Sequence, residues 1–150
     1  MTMSIYEEKN LLIQTRILEE TDRGTIQEIA FKGIHDHLWP AGWRIQEFIK
    51  EEVRKVMPDA CLFDFLEYEY EFGNEIAGPI MAPMLAHGAP PFAPIAIVAQ
   101  GNTARSLKSL FVGCNLGKVA EIEFFEDSAS GCAFLHGVLD ARKRPLTPEG

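Results

Sequence analysis

At 150 residues the chain suits one domain, and at that length roughly 70% of the unfolded surface is buried on folding, so no disulfide or metal is needed to hold a core. A formal net charge of −8, with 22 acidic residues against 14 basic ones, argues against nucleic-acid binding and against docking on an anionic membrane. The three cysteines, Cys61, Cys114 and Cys132, form no Cys-x-x-Cys pair and are odd in number, which points to reduced thiols; Cys61 and Cys114 sit in apolar patterns.

In chain order, the first ten residues carry Glu7, Glu8 and Lys9 and no long apolar run, so no secretory signal is visible. Residues 11–18 alternate imperfectly and are bounded by charges, which predicts a strand. Thr21-Asp22-Arg23-Gly24 is a turn, and residues 25–34 complete a hairpin. Residues 40–57 are the clearest helix. Ile45, Phe48, Ile49, Val53, Val56 and Met57 share one face, and Arg44, Glu47, Lys50, Glu51, Arg54 and Lys55 cover the other. Pro40 suits the first turn and Pro58 marks the stop.

Residues 61–66 are apolar on both faces apart from Asp64, the pattern of an interior strand. Residues 67–72 then alternate three carboxylates with three rings. Residues 74–87 have helical apolar spacing, interrupted by Pro79 and Pro83. Either the helix starts at Gly78, with Pro79 in its first turn, or it is kinked. Residues 94–100 form a short apolar strand. Asn102 is expected to cap a helix with Ala104, Leu107, Leu110, Phe111 and Cys114 on one face, ended by Gly117. Residues 121–125 form a strand, and Asp127 caps a last helix reaching Leu135. Residues 90–99, the most apolar stretch, are too short for a membrane span and contain three prolines, so a cytoplasmic location is expected.

Several residues invite a chemical reading. His35 and His37 lie on one strand face, as metal ligands would, but no firm third ligand accompanies them. Glu67, Glu69 and Glu71 stand roughly 7 Å apart along a strand, a spacing compatible with paired-carboxylate hydrolysis, but nothing lifts a carboxylate out of solvent and a solvated strand face is the default reading. Gly101, Asn102 and Thr103 follow a strand and open a helix, where backbone amides can hold an anion. No Gly-rich loop with a following Lys-Ser or Lys-Thr supports a nucleotide there. Trp39 and Trp43 flank Pro40 and are expected to close over a small core. No Gly-x-Ser-x-Gly or reactive cysteine setting is present, and the chain is expected to be non-enzymatic, with no cofactor and no metal.

The stretch Leu62-Phe63-Asp64-Phe65-Leu66, leading to Gly73-Asn74-Glu75, is similar to the buried strand and switch loop of the STAS domain, the fold of anti-sigma-factor antagonists. The run from Ala96-Ile97-Val98 through Asn115-Leu116-Gly117-Lys118-Val119 to Phe125-Glu126-Asp127-Ser128 resembles the same family's strand, helix, short strand and capped final helix. The likeness spans residues 11–135. It implies an α/β fold with a mixed four- to five-stranded sheet and about four helices mainly on one face. A single domain over residues 1–137 would be followed by a flexible tail over 138–150. With Asp64 aligned to the family's strand aspartate, the phosphorylatable serine falls at Asn74, and the usual Asp-Ser-Ser-Gly reads Phe72-Gly73-Asn74-Glu75. No Ser or Thr occurs between Cys61 and Thr103, so the resemblance implies a module without the switch. Its partner would be a protein, an anti-sigma factor or a kinase-like regulator, docking on Gly73, Asn74 and Glu75 with Glu71 beside them; a homo-oligomer is compatible with this. The alternatives are a small-ligand sensor using Gly101, Asn102 and Thr103, and a small enzyme using His35, His37 or the acidic strand.

Overall fold

The computed structural model describes residues 3–8, 10–34, 42–70, 76–114 and 121–143. The expected hairpin is β2 (Leu11–Thr21) and β3 (Gly24–Ile34), paired antiparallel. Gly24 turns the corner at φ 138°, a conformation L side chains rarely adopt, and a Cβ there would lie 2.5 Å from Asp59 Oδ2. That same oxygen accepts the Thr25 N–H at 2.8 Å, which pins the turn to the loop before the next strand.

An additional strand, β1 (Ser4–Glu8), pairs antiparallel with β2 at the edge of the sheet. Its inner residues are only half-buried. Tyr6 packs on Phe48 at 5.3 Å between ring centroids, and Glu8 receives Arg44 at 3.0 Å. The helix carrying both partners, α1 (Gly42–Val56), buries Ile45, Ile49 and Val53 as its periodicity predicts. It closes on Met57, at φ 48°, whose N–H donates to Val53 O at 2.6 Å; Pro58 cannot continue the helix.

The rest of the sheet is parallel: β3 with β4 (Ala60–Glu69), β4 with β5 (Ile95–Val98), and β5 with β6 (Ile122–Phe125). Six strands lie in sequence order, so β4 is interior, as its two apolar faces predict. The helices between them are α2 (Ala77–His87) and α3 (Gly101–Cys114), and α4 (Ser128–Lys143) follows β6. Pro79 falls in the first turn of α2 and Pro83 lies inside it, both buried.

Alternation along the strands divides the core in two. Ile13, Ile29, Phe31, Phe63 and Ile97 point to the face covered by α1, α2 and α3, where Ile49, Ile80 and Leu107 meet them. Ile26, Leu62, Ala96 and Val98 point to the other face and pack on Leu135 and Leu139 of α4. Each large side chain buried this way contributes roughly 1.5–3 kcal/mol. Gly131 brings α4 close to the sheet, since a Cβ there would stand 3.3 Å from Leu62 Cδ1.

The expected end of the last helix at Leu135, and the expected tail from residue 138, need correction. The helix continues to Lys143, with Leu139 buried on the sheet. Arg142 is bonded twice, donating to Phe92 O at 2.9 Å and to Glu121 Oε1 at 3.1 Å. The strand count rises from the expected four or five to six because β1 adds an edge.

Candidate functional site

The register of β3 against β4 shifts between Ala30, opposite Asp64, and Lys32, opposite Glu67, so β4 carries one extra residue there. Asp64 Oδ1 accepts the Leu66 N–H at 2.9 Å within the irregularity. The extra residue changes which side chains face the core. Before it the odd-numbered Cys61, Phe63 and Phe65 point inward; after it Tyr68 and Tyr70 do. Glu67 and Glu69 are thereby exposed, with Lys32 Nζ 3.5 Å from Glu67 Oε2. Asp64, singled out as the strand's central acid, thus bonds the backbone at the irregularity.

At its carboxyl end β4 is bound to the start of α3. Thr103 Oγ1 donates to Tyr68 O at 3.0 Å and accepts the Tyr70 N–H at 3.2 Å. The first turn of α3 closes with Ala104 N–H on Gln100 O at 3.2 Å, so the helix begins ahead of Asn102. Gly101 enters it at φ 60°. Asn102 is exposed, and its Oδ1 accepts from the Arg105 guanidinium. Among Gly101, Asn102 and Thr103, the threonine hydroxyl is therefore engaged in holding strand to helix, and the asparagine oxygen in holding Arg105.

The neighbouring strand ends are tied in the same way. Gln100 Nε2 donates to Glu126 O at 2.7 Å, and Ala99 N–H to Phe125 O at 3.0 Å. Asp127 caps α4 as expected: its Oδ1 accepts the Ser130 N–H at 2.7 Å and its Oδ2 the Ser130 hydroxyl at 3.1 Å. The Ser130 backbone bond, followed by the hydroxyl bond, lowers the Asp127 pKa below the ordinary carboxylate value. The carboxyl ends of β4, β5 and β6 thus form a braced edge bearing exposed carboxylates at Glu67, Glu69, Glu126 and Asp127. In open α/β sheets this is the edge where ligands usually bind.

Gly73, Asn74, Glu75 and Glu71 lie outside the described residues. Their flanks are described. Tyr70 and Ile76 are both buried, at 2% and 1% exposure. Ile76 stands before α2 in helical conformation and offers no side-chain cap. His35, His37, Trp39, Pro40 and Gly117 also lie outside the described residues. Trp43 is 62% exposed, with Arg44 Cζ 6.0 Å from its ring centroid, so it does not close over a core as expected.

Among the described residues no three His, Cys, Asp or Glu side chains gather as a metal site. His136 Nε2 lies 2.7 Å from Glu19 Oε1 on the α4 face of the sheet. Burial pushes the Cys61 thiol up to about 12, which is the opposite of an activated nucleophile. Burial first, then the charges of Glu19 and Glu28, also raise the Cys132 thiol. No described helix is long and apolar enough to cross a membrane. Two features escaped the sequence reading: the Thr103 bridge and the irregularity in β4. A threonine in a first helical turn reads as a cap, and nothing local marks its bond across to another strand.

No protein-family model and no curated protein matches the chain. Several solved structures resemble it, among them the following two. An anti-sigma factor antagonist from Mycobacterium paratuberculosis is 14% identical, with a TM-score of 0.55 over 82% of this chain and 93% of the other. A DUF3478-family protein with a SpoIIAA-like fold from Shewanella loihica is 15% identical, with a TM-score of 0.52 over 87% of this chain and 97% of the other. At these identities the likeness is one of fold: the chain has the mixed α/β architecture of the SpoIIAA and STAS type.

Proposed function

We propose that the chain is a non-enzymatic protein-docking module of the anti-sigma-antagonist kind, acting without a serine switch. The observation that carries this reading is the fold held in common with an anti-sigma factor antagonist over most of both chains. The docking residues are Gly73, Asn74 and Glu75, with Glu71 beside them, between the end of β4 and the start of α2. The braced carboxyl edge at which β4 ends, ahead of them in the chain, supports the assignment, because it supplies an acidic platform at Glu67, Glu69, Glu126 and Asp127. Asn74 has no hydroxyl to phosphorylate, and Glu75 holds a permanent charge, so the surface stays in one state. The partner is a cytoplasmic protein with a basic patch, an anti-sigma factor or a kinase-like regulator.

The test is affinity capture from the native cell with wild-type protein and Asn74→Arg, using circular dichroism as the folding control. The reading expects a partner that is captured by the wild type, weakened by raised salt and lost with Asn74→Arg. Equal capture by a well-folded Asn74→Arg protein places the interface elsewhere.

A further inference from the structure

The strand order begins at β1, so among the described residues only β2 pairs with it and its outer side meets no other strand. Backbone donors and acceptors along such a side are a template for another strand, and edges are usually blunted by lysine, proline or a bulge. β1 has none of these. Its five residues, Ser-Ile-Tyr-Glu-Glu, pair with β2 in unbroken register, from Ser4 opposite Thr15 to Glu8 opposite Leu11. The strand is held from one face by the Tyr6 ring on Phe48 and by Arg44 on Glu8. The edge is therefore built ahead of any association.

The other face of β1 is open. By alternation Ile5 and Glu7 point away from α1, and Ile5 is 53% exposed. Met3, one residue ahead of the strand, is 51% exposed. α4 packs over β4, β5 and β6, so among the described residues no helix covers Ile5. An exposed isoleucine on an unblunted edge favours pairing over solvation.

Charge decides which strand fits. The acids of β1 are gathered at its end, Glu7 and Glu8, and its beginning is neutral. A second copy laid antiparallel about a two-fold axis at Ile5 sets Ile5 on Ile5, Ser4 beside Tyr6 and Met3 beside Glu7. The two Glu7 carboxylates then stand about 14 Å apart along the strands, beyond the screening length of about 8 Å at physiological salt. A register centred on Glu7 would instead set them face to face, which is destabilising.

We infer that β1 is a self-association edge, at which a second copy of this chain adds its own β1 antiparallel, centred on Ile5, and joins the two six-stranded sheets into one. The two Ile5 side chains cover each other on the open face. The edge lies at the opposite end of the strand order from β6, and the inference does not rest on the docking residues.

The experiment is sedimentation equilibrium of the full chain from micromolar to millimolar concentration, with circular dichroism as the folding control. The wild type is expected to form a reversible dimer. Ile5→Lys and Ile5→Glu each set like charges face to face and should weaken it at least about fivefold, while an equimolar mixture of the two should associate again, because opposite charges then meet. Met3→Lys brings a cation beside Glu7 of the other copy and should tighten the dimer at least about twofold; it decides the matter should the Ile5 variants fail to fold. Val112→Lys, at an exposed apolar residue of α3, should leave association unchanged. A wild type that stays monomeric overturns the inference. So does a dimer indifferent to both Ile5 variants, a mixture that fails to associate, a weaker dimer in Met3→Lys, or one lost in a folded Val112→Lys.

Discussion

Replacing Thr103 with valine removes one oxygen and nearly preserves shape, so it tests how the carboxyl edge is held. The hydroxyl makes two bonds, to Tyr68 O at 3.0 Å and from Tyr70 N–H at 3.2 Å. Each is worth about 0.5–1.5 kcal/mol net, so the variant should lose about 1–3 kcal/mol. For a chain of this length a loss of about 2 kcal/mol lowers Tm by about 4–8 °C. Thr103→Ser keeps the oxygen and should stay close to wild type. Urea titration gives the stability difference, and hydrogen exchange locates it: the Tyr70 amide should exchange faster in Thr103→Val, while amides of β2 keep their protection relative to the lowered global stability. Wild-type stability in Thr103→Val, to within about 0.5 kcal/mol, would refute the view that this side chain ties β4 to α3.

Three further outcomes are expected. Phe63 is fully buried, 5.9 Å from the Phe65 ring and 6.4 Å from that of Phe31, and Phe63→Ala should cost about 3–5 kcal/mol in urea unfolding; a loss under about 1 kcal/mol contradicts the central placing of β4. Asp127→Ala should lower Tm by removing the α4 cap. The Asp127 pKa is depressed in the folded state, so the cap's contribution is complete above the ordinary carboxyl pKa of about 4 and disappears as pH falls through the depressed value. The Tm gap between wild type and Asp127→Ala should therefore close in acid, and a gap that widens there disproves the cap. Cys61 should resist thiol labelling in the native protein and react on unfolding, read by peptide mass mapping; labelling at the rate of a free thiol contradicts its burial.

What the sequence disclosed follows the strength of each local signal. The apolar periodicity of α1 and the double-sided apolar run of β4 are insensitive to context, and both appear where expected. β1 was invisible because an edge strand needs only a half-buried face: Ile5 is exposed, and Glu8 is held by a partner on α1 that sequence cannot bring near. α4 looked shorter because Gly131, Gly137, Ala133 and Ala141 blur its apolar stripe, although Leu139 continues it. Pro83 suggested a break, yet its ring is buried within α2, where tertiary packing offsets the missing N–H. At the carboxyl edge the Asp127 cap was legible because the bond is local, three residues apart. The Thr103 bridge spans 33 and 35 residues and depends on the parallel alignment of β4 and β5.

Hydrogen exchange of the chain, alone and with its captured partner, tests the docking reading most directly. Protection is expected to concentrate on residues 71–75, on the amides of Gly101 and Asn102, and around Glu126 and Asp127. It should fade as salt is raised. Protection confined to β1 or to α1, with residues 71–75 exchanging as in the free chain, would contradict it.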